Sequence, residues 1–152
     1  MSDILSLLQD FDVANFLPEP DKFLNNLEGW VRLMVLAGPL VMLILGLWYY
    51  YAPPKEANHA AGFRTYYSMG SVKAWLFAQK LAGMAYMAMG GGLSVLMLIV
   101  SLFFNAEKGI AMITVALICV ILEVILMVGM WVVLNILIMK AYDKDGNPRK
   151  RK

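Results

Sequence analysis

The sequence predicts an all-α membrane protein with three transmembrane helices, on three observations. The 152-residue chain is 61% hydrophobic and only 16% charged, whereas a soluble domain runs nearer half apolar and a quarter charged. The apolar excess, a mean hydropathy of +0.65, is gathered into three blocks rather than scattered. Each block reaches the roughly 20 residues that cross a hydrocarbon core of about 30 Å. None of them carries the polar face that a helix on the outside of a soluble bundle would need.

The chain divides into an acidic arm (residues 1–30), a three-helix membrane domain (31–139) and a basic tail (140–152). In the arm, six acidic residues face one lysine, a net of −5. Ile4, Leu7, Leu8 and Phe11 make one helical stripe behind a Ser2 cap, and Phe23, Leu24, Leu27 and Trp30 make a second. The arm is thus expected to be an amphipathic helical segment. Its acidity argues against anionic lipid as its partner, leaving either an interfacial lead-in or a docking arm for another protein. A cleavable signal peptide is not expected, since the first charges are acidic and the first apolar run starts late.

The first span is read as Leu33 to Ala52, with Pro39 inside it, a placement membrane helices tolerate. The second runs from Leu81 to Asn105. The third, Gly109 to Met139, is longer than one crossing requires, so it tilts or projects. Ten of the thirteen basic residues fall in the loop 53–80 and in the tail, which three spans place on one side. The positive-inside rule then puts the N-terminus outside and the C-terminus in the cytoplasm. Trp48, Tyr49, Tyr50, Tyr51 and Trp131 suit an aromatic belt at the inner interface.

Within the loop, "GFRTYYSMGSVKAWLFAQKLAG" (62–83) is polar between two apolar runs. Gly62 and Gly70 interrupt regular structure, and Ser71 is placed to cap a helix that continues into the second span. Trp75 and Gln79 lie one turn apart on that helix. Arg64, Thr65, Ser68 and the N–H groups near Ser71 are either an anion-binding cluster for a lipid phosphate or groups that satisfy loop carbonyls. The pattern Gly62, Phe63, Arg64, Thr65, Ser68, Met69, Ser71, Trp75, Ala78, Gln79, Gly83 resembles the signature of the SdpI-type immunity family, membrane proteins that protect bacteria against a secreted killing peptide. Val72 and Lys73 stand where members often carry an acidic pair. The resemblance implies a three-span unit in the bacterial inner (plasma) membrane. It also implies an immunity or signalling role against a membrane-active peptide or lipid ligand, with the cytoplasmic loop tethering a repressor.

Glu123 is the one charge inside the third run. A carboxylate at mid-membrane is costly and marks a candidate site. Counting depth from the outer side sets it against Gly90 to Gly92, with Tyr86 and Ser94 near enough to donate to a neutral carboxyl. Either the glycines serve tight packing and Glu123 is satisfied internally, or the place receives a lipid, ion or partner. Glu56 and His59 are too few ligands for a metal, and lone Cys119 reads as packing. There is no nucleophile–base set, phosphate loop or haem pattern, so neither an enzyme nor a cofactor is expected, and no nucleic-acid partner. The alternative to the immunity reading is a non-catalytic accessory subunit. It would stabilise a larger membrane complex, or a homo-oligomer, through its arm and helix faces.

Overall fold

Each apolar block is a helix, because in hydrocarbon only a helix satisfies all of a segment's main-chain polar groups internally. The structure, a computed structural model, describes residues 20–149. Helix α1 spans Pro20–Tyr51, α2 Val72–Ser101 and α3 Gly109–Ala141. All three are long and apolar enough to cross a membrane, over Asn26–Tyr51, Val72–Ser101 and Gly109–Ala141. At 1.5 Å per residue, α3 measures about 50 Å, well beyond the core of a bilayer. Among the described residues there is no strand, only an isolated antiparallel bridge between Tyr142 and Pro148.

Two boundaries differ from those the sequence suggests. The stripe ending at Trp30 is not a separate element, for α1 runs through it unbroken from Pro20. Proline suits a first helical position, where its missing N–H has no partner to lose, and nothing after it stops the helix. Leu27 packs against the Val31 and Val35 cluster, while Trp30 is exposed. The other stripe, Ile4 to Phe11, lies outside the described residues. Helix α2 begins at Val72, behind the expected Ser71 cap, and ends at Ser101, four residues short of Asn105.

The helices form two packed layers of core. One joins Val31 and Val35 of α1 to Met97 of α2 and Met112 and Ala116 of α3, closed by Phe104 from the short α2–α3 turn. The other, at the opposite end, gathers Tyr49, Phe63, Ala78, Ala82, Leu134 and Ile138. Helix α1 packs chiefly against α2, and α3 touches both less extensively. Small residues set that closeness. A Cβ on Gly46 would lie 2.5 Å from the Met87 nitrogen, on Gly83 2.7 Å from that of Tyr50, and on Gly90 2.5 Å from that of Leu43. The outward faces are apolar, with Ile44, Val95, Ile99, Ile121, Ile125 and Val128 all exposed. Such a surface is stable against lipid and far larger than the apolar patches that soluble proteins present.

The short turn is fixed by Asn105, whose side chain accepts the Glu107 N–H at 2.9 Å, and by Arg32. Arg32 pairs with Glu28 on its own helix and reaches the Phe104 carbonyl at 3.3 Å. At the other end, the segment after α3 does not trail away. It folds back so that the Arg149 N–H donates to Ala141 O and the Asp143 N–H to Asn147 O, both at 2.9 Å. Gly146, at φ +75°, sits so tightly on Gly70 and Ser71 that a side chain there would meet them at 2.5 Å. The tail's first turn is therefore docked on the α1–α2 loop, which places loop and tail at one end of the bundle.

Asp143 closes this turn. Its Oδ1 accepts the N–H groups of Asn147 (2.8 Å) and Asp145 (3.0 Å). Those bonds, the Asn147 one foremost, and the nearby Arg149 charge hold its carboxyl below the usual aspartate range. A depressed folded value means the carboxylate favours the closed turn above the unfolded pKa, an advantage lost as pH falls through the folded one. The turn is therefore expected to stay closed at neutral pH and to open only in acid below the ordinary aspartate range. An NMR titration of the Asn147 amide would read this, and a midpoint at or above that of a free aspartate would contradict it.

Candidate functional site

The loop joining α1 to α2 is built on one side chain, Gln79. From the second turn of α2 its Oε1 accepts the Phe63 N–H at 2.7 Å and its Nε2 donates to the Phe63 carbonyl at 2.9 Å. A single amide thus pairs with both main-chain groups of a buried residue, as a neighbouring strand would. Phe63 can approach because Gly62 precedes it at φ +112°, in the left-handed region that favours glycine. A Cβ on Gly62 would also strike the Trp75 ring at 2.7 Å. Trp75 is fully buried, and its Nε1–H donates to Pro54 O at 2.7 Å, holding the start of the loop.

The hydroxyls are spent in the same way. Thr65 N–H donates to Ser68 Oγ at 2.8 Å, Ser68 N–H to Thr65 Oγ1 at 3.1 Å, and the Ser68 hydroxyl to Thr65 O at 3.0 Å. Ser71 caps α2 by accepting the Ala74 N–H at 3.1 Å, and its hydroxyl donates to Gly146 O at 2.7 Å. Thr65, Ser68, Ser71, Trp75 and Gln79 thus come together as one clasp, each turned to a main-chain partner. Ala78, fully buried on α2, joins the core layer that holds Phe63, and Gly83 lets Tyr50 pass. Arg64 stands apart. It is exposed, with one guanidinium nitrogen donating to the His59 carbonyl, and Tyr66, two residues on, is exposed as well.

Glu123 is placed differently from the sequence expectation. It faces Gly38 on α1, whose Cβ would lie 2.8 Å from Glu123 Oε2, rather than Gly90 to Gly92. Equal depth does not fix which neighbouring helix a side chain meets, and Leu93, one turn beyond Gly90, borders the same cavity as Glu123. Of the three consecutive glycines only Gly90 is in close contact, with α1, while Gly92 meets nothing. The Ser94 hydroxyl donates to Gly90 O at 2.7 Å on its own helix. Tyr86 packs its ring against Tyr49 and Phe63. Neither is joined to Glu123, which is 8% exposed, with Oε1 buried and unpartnered among the described residues.

The carboxyl group borders a cavity of about 130 Å³ between α1 and α3, lined also by Met34, Pro39, Met42, Leu93 and Met127. An unsatisfied buried polar atom costs about 1–3 kcal/mol. Glu123→Met, close in length and apolar, is therefore expected to raise the thermal midpoint in detergent, by roughly 1 kcal/mol of stability. A lowered midpoint would show that the carboxyl group is a structural tie. No group of three or more His, Cys, Asp or Glu side chains is assembled among the described residues.

Three long apolar helices, lipid-suited outer faces and a polar clasp at one end define a multi-pass membrane protein of three spans. The family model described as the SdpI/YfhL protein family matches residues 55–139, most of the loop, all of α2 and nearly all of α3, and the chain belongs to that family. No match was found among curated proteins or among solved structures.

Proposed function

We propose that the chain is a small SdpI-like integral membrane protein whose role is recognition, in immunity or signalling against a membrane-active peptide or a lipid ligand. The observation that carries this reading is the match of the family to the clasp and the two spans behind it. Of the signature's charged and hydrogen-bonding side chains, Arg64 alone is exposed. The clasp holds Arg64 and Tyr66 at the membrane edge, where a guanidinium can grip a phosphate or a peptide carboxylate. Basic residues concentrated at that end favour its placement in the cytoplasm of a bacterial plasma membrane, with the N-terminus outside. No catalytic step is assigned to it.

The test is purification of the protein in mild detergent from its native membrane, with mass spectrometry of every protein and lipid retained. Recovery alone or as a homo-oligomer, with a retained lipid or peptide that Arg64→Gln releases without lowering accumulation, supports the recognition role. Stoichiometric foreign subunits released by deletion of residues 1–28 would establish the accessory-subunit role instead.

A further inference from the structure

At the clasp end, a half-open cavity of about 530 Å³ lies between α2, α3 and the docked turn. Its walls change character along the helix axes. Phe77 and Leu81 of α2 and Leu137 of α3 make an apolar lower wall, and the Phe77 and Tyr142 rings, in contact with centroids 5.4 Å apart, close one side of it. Lys140, in the last turn of α3, and Arg149 form the rim. Arg149 owes its place to the turn, for its N–H is bonded to Ala141 O, Tyr142 bridges Pro148, and Gly146 is seated on Gly70 and Ser71. A cation that the sequence places in the basic tail is thus part of a formed wall.

Neither Lys140 nor Arg149 is in an ion pair among the described residues. The acidic group nearest the rim is Asp143, which feels the Arg149 charge but whose oxygens are occupied by the turn. Lys73 and Lys80, exposed four residues before and three after Phe77, share its side of α2 and add charge of the same sign there. A cleft with cations at its mouth and hydrocarbon-like walls below fits an amphiphile with a negative head. At the end of a membrane bundle, the amphiphile at hand is phospholipid.

We propose that this cavity binds one anionic phospholipid, its phosphate between Lys140 and Arg149 and an acyl chain along Phe77, Leu81 and Leu137. The inference rests on the membrane placement of the chain and not on the recognition role of Arg64. Lipid here would brace the docked turn, and through Ser71 the clasp.

The full-length protein in mild detergent, supplied with equal phosphatidylglycerol and phosphatidylcholine, tests this by native mass spectrometry. One phosphatidylglycerol is expected to be retained about tenfold more than phosphatidylcholine, the preference that a pair of surface cations supplies. Lys140→Gln/Arg149→Gln should abolish the preference, and Lys55→Gln/Lys108→Gln, the same charge change elsewhere, should keep it. Leu137→Trp, which fills the apolar half and spares both cations, should lower retention of either lipid. Equal retention by the unaltered protein, an unchanged preference in the rim variant, or displacement of the lipid by millimolar inorganic phosphate would overturn the assignment. Arg64→Gln should leave the preference intact, so failure of the recognition role and failure of this site are separable.

Discussion

Gly83→Leu is expected to separate the first two helices and lower stability by about 3 kcal/mol, the upper end of the overpacking range. The atoms that a side chain would meet decide this. Its Cβ would lie 2.7 Å from Tyr50 N and 3.0 Å from Gly46 O. These are main-chain atoms of a facing helix, so no rotamer change relieves the clash and α1 as a whole must move. Gly90 and Gly46 repeat the arrangement against Leu43 and Met87, so the displaced helix would lose its seat at three levels. Helix pairs in membranes depend on such close approach, because burial from lipid gives little driving force between apolar surfaces. Gly92→Leu is the matched control. Nothing lies within 4 Å of its added carbon, and a change within about 0.5 kcal/mol is expected. Thermal melting of both variants in one detergent, followed by circular dichroism, is the measurement. Equal midpoints would mean that the α1–α2 spacing is not set by these glycines.

The three spans were legible because a single long apolar segment satisfies its own main-chain groups in hydrocarbon only as a helix, and Ser71 was legible as a cap because its chemistry is local. Residue type could not show which way a side chain turns. Thr65, Ser68 and Gln79 carry the same donors and acceptors whether they bind a ligand or a neighbouring peptide group. Only the approach of Phe63, allowed by Gly62, reveals that they are spent internally. Glu123 shows a related limit. Counting residues gives approximate depth but neither tilt nor rotation, so Gly38 could not be found as its neighbour.

The docked tail was missed, although a signal for it was present. Asp143, Gly146, Asn147 and Pro148 are turn-forming residues in succession. Their charged flanks, from Lys140 to Lys152, make the whole segment read as one basic tail. The last three basic residues lie outside the described part of the chain. The family signature was readable in order from Gly62 to Gly83, and its structural meaning is now plain. It encodes the clasp that fixes loop, helix start and tail to one another, and it leaves Arg64 turned outward.

The clasp is expected to fail as a unit when Gln79 is replaced. In Gln79→Leu the side-chain volume is nearly kept, but the Phe63 N–H and C=O lose their partners in a region closed to water, where Gln79 is 0% and Phe63 4% exposed. Each orphaned group costs about 1–3 kcal/mol, so a total loss of roughly 2 to 6 kcal/mol is expected. The loss should be local first. Phe63 would leave Ala78 and Ala82, Gly62 would no longer be held on Trp75, and Arg64 would lose its fixed position. The bundle ends should then separate in hydrogen exchange. Amides of residues 62–71 would lose protection, while those near Val35, Met97 and Met112, in the other core layer, would keep it. Gln79→Glu discriminates further, since it retains an acceptor for the Phe63 N–H and removes the donor to its carbonyl, and an intermediate loss is expected. Uniform loss of protection along all three helices would show instead that the clasp and the membrane bundle fold as one cooperative unit.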